Sequence, residues 1–473
     1  MRLFKTPNRD QLMLLPPNLN DWVRADHPAR LVLDFVETLD LTAIYESYRA
    51  DGKGQPPYDP KMMLAILLYA AMLGEHSSRK IERMLTDDLA FRFIAGNLSP
   101  DHDTIADFRN RHSEQFAGIL RRCVQCAMKM GTVRLNHVAI DGTKMRANAS
   151  LDANRSEEEL KKESKAIEKY VCNYLKNAAR TDEEEDREFG EGRNGYFLPD
   201  HLADEEARKE WIKQQLALIE TESEKPSEDA EEGGDDDDND GPKNKPSTRL
   251  EKKLEKLEKA KKALEEKEQK RKLEDPTGKR QRDNERKRGT PYVPQINVTD
   301  PDARKMLFRE GGYKEGYNCQ IAVDDELGII VAAAVTQEEN DLRQLEPMLL
   351  KTQENTGWLP DRATADTGYF NLKQMENPRF KSVEFFIPPR ARTATEKADS
   401  KSEAVRTQLD TELGKIMIRA RKTVVEPVFG VIKHARGRRR LSMRGLKKVA
   451  AEWNLICIAH NLLKLHKAAM APA

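Results

Sequence analysis

The sequence is poor in cysteine, with five in 473 residues. That is too few for a disulfide scaffold of the kind small secreted domains rely on. Cys123 and Cys126 form a CxxC with no second pair to complete a zinc site, so they read as one face of a helix continuing from Phe116. No apolar run reaches the ~18 residues of a membrane span. The N-terminus, MRLFKTPNRDQLMLLPP, lacks the continuous apolar stretch of a secretory signal. No GxxxxGK[ST] loop is present, and the glycines of EGGYKEGY precede a strand pattern, which disfavours a nucleotide-binding enzyme. Net charge is also absent, because 81 basic residues balance 81 acidic ones. The expectation is a soluble cytoplasmic protein with reduced thiols, long enough for about three domains at ~150 residues each.

The charge is present but segregated. Residues 181–240 hold 24 acids and 6 bases. Residues 241–290 hold 19 bases and 10 acids. Residues 415–450 hold 12 bases and a single acid, Glu426. A neutral sum therefore hides a strongly basic segment, and neutrality does not exclude a nucleic-acid partner. The run Asp235 to Asp238, set among Gly and Ser, repels itself and lacks apolar area to bury, so 223–248 is expected to be a disordered loop. Leu250, Leu254, Leu257 and Leu264 follow it as a short heptad seam. Leu202, Trp211, Leu216 and Ile219 precede it in a helical pattern. The segment 151–290 thus reads as a charged helical hairpin inserted into the chain, with a solvated single helix as the alternative.

The N-terminal part, 1–130, reads as an all-α domain of short helices. Pro60 opens one with Met63, Ile66, Leu67 and Ala70 as its stripe and Gly74 as its stop. Ser77 or Ser78 caps a second, Thr86 a third, and Asp103 a fourth. Tight turns between short helices fit a helix-turn-helix-like bundle, whose last helix offers Arg109 and Arg111 to DNA. A plain helical bundle with a solvated basic side fits the same pattern.

Three acids stand in three local settings. HVAIDGT reads as a short buried strand ending at Asp141 in an Asp-Gly turn. GYNCQIAVDDELGIIVAAAVTQ, 316–337, reads as a hairpin with its turn at Asp324, Asp325 and Glu326. A helix with Leu342, Leu345 and Leu349 follows, started by Asn340 or Asp341. RATADTGYF is a short strand ending at Asp366, and VEFFIPP a fifth strand. Glu426 then sits in the basic stretch RARKTVVEPVFGVIKHARGRRRL, where Pro427 either kinks its helix or makes Glu426 a helix start.

This order of elements is that of the ribonuclease H-like nucleases. The blocks AIDGT, YNCQIAVD, ADTGY and VEPVFGVIK, with YDPKMMLAILLYA and SPDHDTIADFR upstream, resemble those of bacterial insertion-sequence DDE transposases. The resemblance covers roughly 1–150 and 290–465. It implies an α/β fold: a ribonuclease H-like catalytic core with a mixed five-stranded sheet over 131–150 and 291–467, an N-terminal all-α domain, and the insertion between. It also implies that Asp141, Asp366 and Glu426 are the catalytic acids and hold two Mg²⁺ (or Mn²⁺) ions, since hard carboxylate oxygens suit such ions. The reaction implied is hydrolysis at transposon ends, then attack of the freed 3′-OH on target DNA. A Tyr, an Arg and a Lys are expected around the Glu. Lys433 matches the last, Lys422 stands at the Arg position beside Arg421, and Arg419 replaces the Tyr. Lys144, Arg146, Arg421, Lys422, Lys433, Arg436, Arg438, Arg439 and Arg440 are the expected phosphate contacts near the acids.

The partners implied are double-stranded DNA, as terminal inverted repeats and target, and further copies of the chain in a homodimer or larger assembly. The site implied is a bacterial cytoplasm, with the protein on the nucleoid when bound to DNA and no membrane involved. Two alternatives remain: a nuclease of the same fold without strand transfer, and a catalytically idle DNA-binding scaffold.

Overall fold

The ten residues His137–Arg146 form β1, and a sheet assembles around it. In the computed structural model, residues 18–48, 56–189, 210, 246–278, 281–282, 285–286, 289, 291–308, 310–391 and 400–470 are described. They divide into two units, 1–154 with 299–473, and 155–298.

In the first unit, the N-terminal helices are α1 (Leu19–Trp22), α2 (Pro28–Glu37), α3 (Thr42–Tyr45), α4 (Pro60–Met72), α5 (Ser78–Asp87), α6 (Leu89–Ala95), α7 (His102–Arg111) and α8 (Phe116–Lys129). Asp59 caps α4 through Lys61 N–H, with Pro60 in the first turn as expected. The third cap is Asp88, not Thr86, and the fourth is Asp101, not Asp103. In both cases the aspartate sits directly before the helix and accepts its free N–H groups, which the more distant residue could not do. α4 buries nearly its whole surface rather than a stripe, because neighbours cover it on several sides.

The sheet runs β4 (Arg304–Leu307), β5 (Tyr313–Asp324), β1, β7 (Arg362–Thr364), β8 (Glu384–Phe386), with β6 (Ile330–Thr336) also paired to β5. β5 is antiparallel to β1, β4 and β6, whereas β7 and β8 run parallel to β1 and to each other. The fold is therefore mixed α/β, with one strand more than the five expected. β4 extends the sheet beside the first residues of β5. β1 does not end at Asp141. Its register with β5 continues to Arg146 opposite Gly316, so Asp141 and Gly142 lie in mid-strand. Glu315 to Asp324 of β5 are all buried, so its alternation is real but neither face meets solvent.

The helices after the hairpin are α11 (Leu345–Thr356), α12 (Leu372–Met375), α13 (Ser400–Asp410), α14 (Glu412–Gly430) and α15 (Leu446–Met470), counting the two of the second unit as α9 and α10. α11 starts four residues later than expected, which leaves Asp341 in the preceding loop and Leu342 exposed. α15 is buried on all sides around Trp453 and packs on α4, α8 and β6. One hydrophobic core runs from Ala29 to Leu465 through the N-terminal helices, the sheet and α15. Cys123 is buried on α8 within it.

The second unit contains α9 (Glu157–Phe189) and α10 (Pro246–Glu274), with the short paired strands β2 (Asn154–Ser156) and β3 (Gln295–Asn297) at its two chain ends. Leu160 and Ile167 of α9 are buried with Leu257, Ala260 and Leu264 of α10 and with Ile296. The charges of Lys261 and Glu265 act on Glu157 and Lys161, so the start of α9 lies beside α10. The seam at Leu257 and Leu264 is thus used, with Leu254 half-buried beside it. Its partner arm begins at Glu157. Leu202, Trp211, Leu216, Ile219 and most of the 223–248 segment lie outside the described residues.

Candidate active site

Asp141 stands where β1 passes between β5 and β7, with its side chain 17% exposed. Its Oδ1 accepts from the Gly142 N–H at 2.8 Å and its Oδ2 from Arg421 Nη1 at 3.1 Å. Burial pushes its carboxyl up to about 6, against the opposing pull of Arg421 and of the Gly142 N–H. The negative charges of Asp366 and Asp341 push it further the same way.

Asp366 follows β7. The parallel register ends at Ala139 opposite Thr364, so Asp366 follows the last pair by two residues on one strand as Asp141 does on the other. Asp366 also caps the short turn Thr367–Tyr369, accepting from Gly368 N–H at 2.8 Å. Glu426 comes from α14. Pro427 neither starts that helix nor ends it, since the chain stays helical to Gly430 and then loosens into a π turn over Val431–Ala435. Asp141, Asp366 and Glu426 all line one cleft of about 710 Å³, and Glu426 is the exposed member.

A fourth carboxylate, Asp341, lines the same cleft. Its Oδ1 accepts from Asn318 Nδ2 and Gln320 Nε2, each at 2.7 Å. Tyr369 beneath donates its hydroxyl to Gln320 Oε1. Burial and the charges of Asp341, Asp141 and Asp366 hold that phenol well above its usual range. Gly142 is required by this packing rather than by a turn. A Cβ there would stand 2.7 Å from Asp341 Oδ1 and 3.0 Å from the Tyr369 hydroxyl. In the sequence Asp341, like Asn340, has the letters of a helix start. The signal that could have found it is the amide pair Asn318 and Gln320, polar positions on a strand whose every residue from Glu315 on is buried.

The cleft walls are cationic. Lys144, Arg146, Arg421, Lys433 and Arg439 all line it. Lys433 Nζ donates to the Lys144 carbonyl at 3.2 Å. The segment after α14 returns alongside β1, where Leu441 N–H donates to the Arg146 carbonyl at 2.8 Å, bringing Arg439 and Arg146 together. Both pair with Glu310, at 3.7 and 2.7 Å. Lys422 and Arg440 are exposed outside the cleft lining, and Arg440 donates to Asn148 Oδ1 at 2.9 Å.

Three expected phosphate contacts are turned inward. Arg438 is buried and pairs with Glu452 at 2.6 Å. The terminal nitrogens of Arg436 are buried. Arg109 gives Nη1 to the His76 carbonyl at 2.8 Å, and burial lowers its pKa. These guanidiniums are not offered to a phosphate, because hydrophobic neighbours on α4 and α15 enclose them. Arg111 remains at the surface, paired with Asp107 at 2.7 Å.

The donor set suits a hard divalent cation. Asp141, Asp341, Asp366 and Glu426 offer carboxylate oxygens, and no thiol lines the cleft, whose one imidazole, His434, is hydrogen-bonded to Arg439. Among the described residues, however, no three His, Cys, Asp or Glu side chains close on a single point. Arg421 holds Asp141, and the amides hold Asp341, along the cleft wall.

The raised Asp141 carboxyl has a consequence for stability. The folded state holds that proton up to pH ~6 and the unfolded chain only to ~3.9, so stability falls as pH rises through this window. Asp141→Asn is therefore expected to stabilise the fold at pH 7.5, on the order of 1–3 kcal/mol. The gain should vanish below pH ~4, as measured by urea denaturation across pH. A destabilised variant at pH 7.5 would show that the carboxylate is well solvated.

Two family models match the chain. Residues 17–111 match one described as Transposase domain (DUF772), and residues 294–462 match Transposase DDE domain. The chain belongs to the insertion-sequence DDE transposases. The DDE match includes Asp341, Asp366 and Glu426, while Asp141 lies between the two matches and is tied to them by sheet register. No curated protein and no solved structure matches the transposase. Its family acts on DNA and typically uses divalent metal ions. Among the described residues, no helix is long and apolar enough to cross a membrane.

Proposed function

We propose that this transposase cuts phosphodiester bonds at the ends of its element and joins the freed 3′-OH to target DNA within one cleft. The observation that supports this reading is that Asp141, Asp366 and Glu426 line one cationic cleft, where the charge of Asp366 acts on Asp141. The strand order β6-β5-β1-β7-β8, antiparallel then parallel about β1, supports a ribonuclease H-like core.

Asp141, Asp366 and Glu426 would hold divalent ions, Mg²⁺ or Mn²⁺. Bound ions would activate the attacking oxygen and stabilise the leaving one. The chain's own residues do the rest. Asp141 must be ionised and released by Arg421 before it can serve as a ligand. Arg421 is then free to face a phosphate from the same helix. Lys144, Arg146, Lys433 and Arg439 neutralise the DNA backbone along the cleft, and Glu310 occupies the place a phosphate would take between Arg146 and Arg439. Lys422, Arg440 and, on the N-terminal helices, Arg111 are surface cations for flanking DNA. The assembly acts on paired ends, as a dimer or larger.

A target-joining assay tests this. A pre-cut transposon end with a free 3′-OH is incubated with supercoiled plasmid and Mg²⁺. Joined products are expected. Cleavage of uncut ends with no joining of pre-cut ones would reduce the protein to a nuclease.

Asp341 is proposed to position the reacting groups from beside Asp141. Asp341→Asn keeps the shape but gives the amides of Asn318 and Gln320 a weaker acceptor. Cleavage is expected to fall about 10- to 100-fold, as for residues that orient metal ligands. Wild-type cleavage in Asp341→Asn would remove it from the site.

A further inference from the structure

The turn between β4 and β5 brings Glu310 into the lining of the cleft. Its place is built into the fold. Phe308 is buried, and Gly316 leaves room for its ring, since a Cβ there would stand 2.7 Å from Phe308 Cζ. Phe308 N–H donates to the Gly312 carbonyl and Gly311 N–H to the Phe308 carbonyl, each at 3.1 Å. Gly311 and Gly312 supply the left-handed φ values, +93° and +78°, that close so tight a turn. Lys144 Nζ donates to the Leu307 carbonyl at 2.9 Å and ties the base of the turn to β1. Glu310 then joins cations from two separate segments. Its Oε2 lies 2.7 Å from Arg146 on β1, and its Oε1 3.7 Å from Arg439 in the strip after α14. The Arg146 hydrogen bond, with the charges of Arg146, Arg439 and Lys314, holds its carboxyl below the usual range. Arg439 also donates Nη2 to His434 Nδ1 at 2.9 Å. A guanidinium can only donate, so that ring nitrogen carries no proton and the imidazole is a neutral brace for Arg439.

We infer that Glu310 is an internal competitor of the DNA backbone: it engages Arg146 and Arg439 in the DNA-free protein and leaves when a phosphodiester takes its seat. This rests on the cleft being the DNA site and adds a restraint on entry to it. The two ion pairs are about half exposed, so they contribute little to stability and open readily. Their effect falls on binding instead. Held on a short turn, the carboxylate competes with the roughly millimolar effective concentration of a tethered group. A duplex displaces it because neighbouring phosphates engage Lys144 and Lys433 at the same time and release their counterions. With Arg421 held by Asp141, three of the cleft guanidiniums are paired within the chain before DNA arrives.

Binding of a fluorescent duplex to the full chain, without metal and at low salt, tests this. Glu310→Gln is expected to tighten binding about 5- to 10-fold, with the gain shrinking as salt screens the pairs. Glu310→Ala should give the same gain. Glu384→Gln is the charge-matched control. It removes a carboxylate of similar exposure from its pair with Arg362, outside the cleft lining, and should leave affinity unchanged. The gain from Glu310→Gln should also vanish when Arg146 and Arg439 are both alanine, because Glu310 then withholds no guanidinium from DNA. Wild-type affinity in both Glu310 variants, an equal gain in Glu384→Gln, or a gain that persists in the double-alanine background would overturn the inference. If the double-alanine variant itself bound DNA like the wild type, the cleft would not be the DNA site, and the competitor would fall with it. None of these readouts depends on DNA cleavage.

Discussion

Asp366→Asn, Asp141→Asn and Glu426→Gln are each expected to lower Mg²⁺-dependent cleavage of a transposon end by about 10³-fold or more. A bound divalent ion contributes several kcal/mol to a phosphoryl-transfer transition state, and each 1.36 kcal/mol is tenfold in rate. The amide forms keep size and polarity but remove the charge that retains the ion. Each acid enters the cleft from a different element: β1, the turn after β7, and α14. The three substitutions should therefore give similar losses with an intact fold. DNA affinity should change little, because the proposed phosphate contacts are the cations Lys144, Arg146, Lys433 and Arg439, which line the cleft separately from the acids. Gel-shift binding measured beside cleavage separates the two effects. Retention of more than a tenth of wild-type cleavage in any one of the three would remove that residue from the site.

Glu452→Ala is expected to be the most destabilising single substitution away from the cleft, at about 3–5 kcal/mol. Glu452 is 3% exposed on α15. It accepts from Arg438 Nη2 at 2.6 Å, from Ser442 Oγ at 2.8 Å and from Met443 N–H at 2.9 Å, and both its oxygens take the Ser442 N–H. Without it, a guanidinium is left buried with no counter-charge, and two N–H groups of the loop before α15 lose their acceptor. Those losses exceed the few tenths of a kcal/mol typical of a solvent-exposed pair. Glu310→Ala is the control. It removes pairs with Arg146 and Arg439 that are about half exposed and should shift the urea midpoint little. If the two variants were equally stable, the Glu452 knot would not be a structural anchor.

The strands that carry Asp141 and lead to Asp366 are legible in the sequence because strand propensity and chain order are local properties. Ile140 before Asp141 and Thr364 before Asp366 mark buried strands without any tertiary information. What the sequence hid was tertiary. Asp-Gly at 141–142 has the letters of a turn, yet the long antiparallel partner β5 keeps it extended, and Gly142 is there to admit Asp341. Asp341 itself looked like a cap, because nothing local distinguishes a cap from a carboxylate held by amides on a neighbouring strand. The arginine run Arg436 to Arg440 read as one basic surface. The chain turns within it, so that Arg439 and Arg440 face solvent while Arg438 is buried. Charge density along a sequence does not say which charges leave the surface.

Asp141, Asp366 and Glu426 are together proposed to hold the divalent ions for DNA cleavage. A crystal of the protein with a transposon-end duplex and Mn²⁺ tests it most directly, through the anomalous signal of the metal. Manganese bound by Asp141 and shared out to Asp366 and Glu426, with Arg421 swung away from Asp141, is the predicted result. Manganese bound elsewhere, or a cleft that engages DNA while Arg421 still pairs with Asp141 and no metal is present, would contradict it.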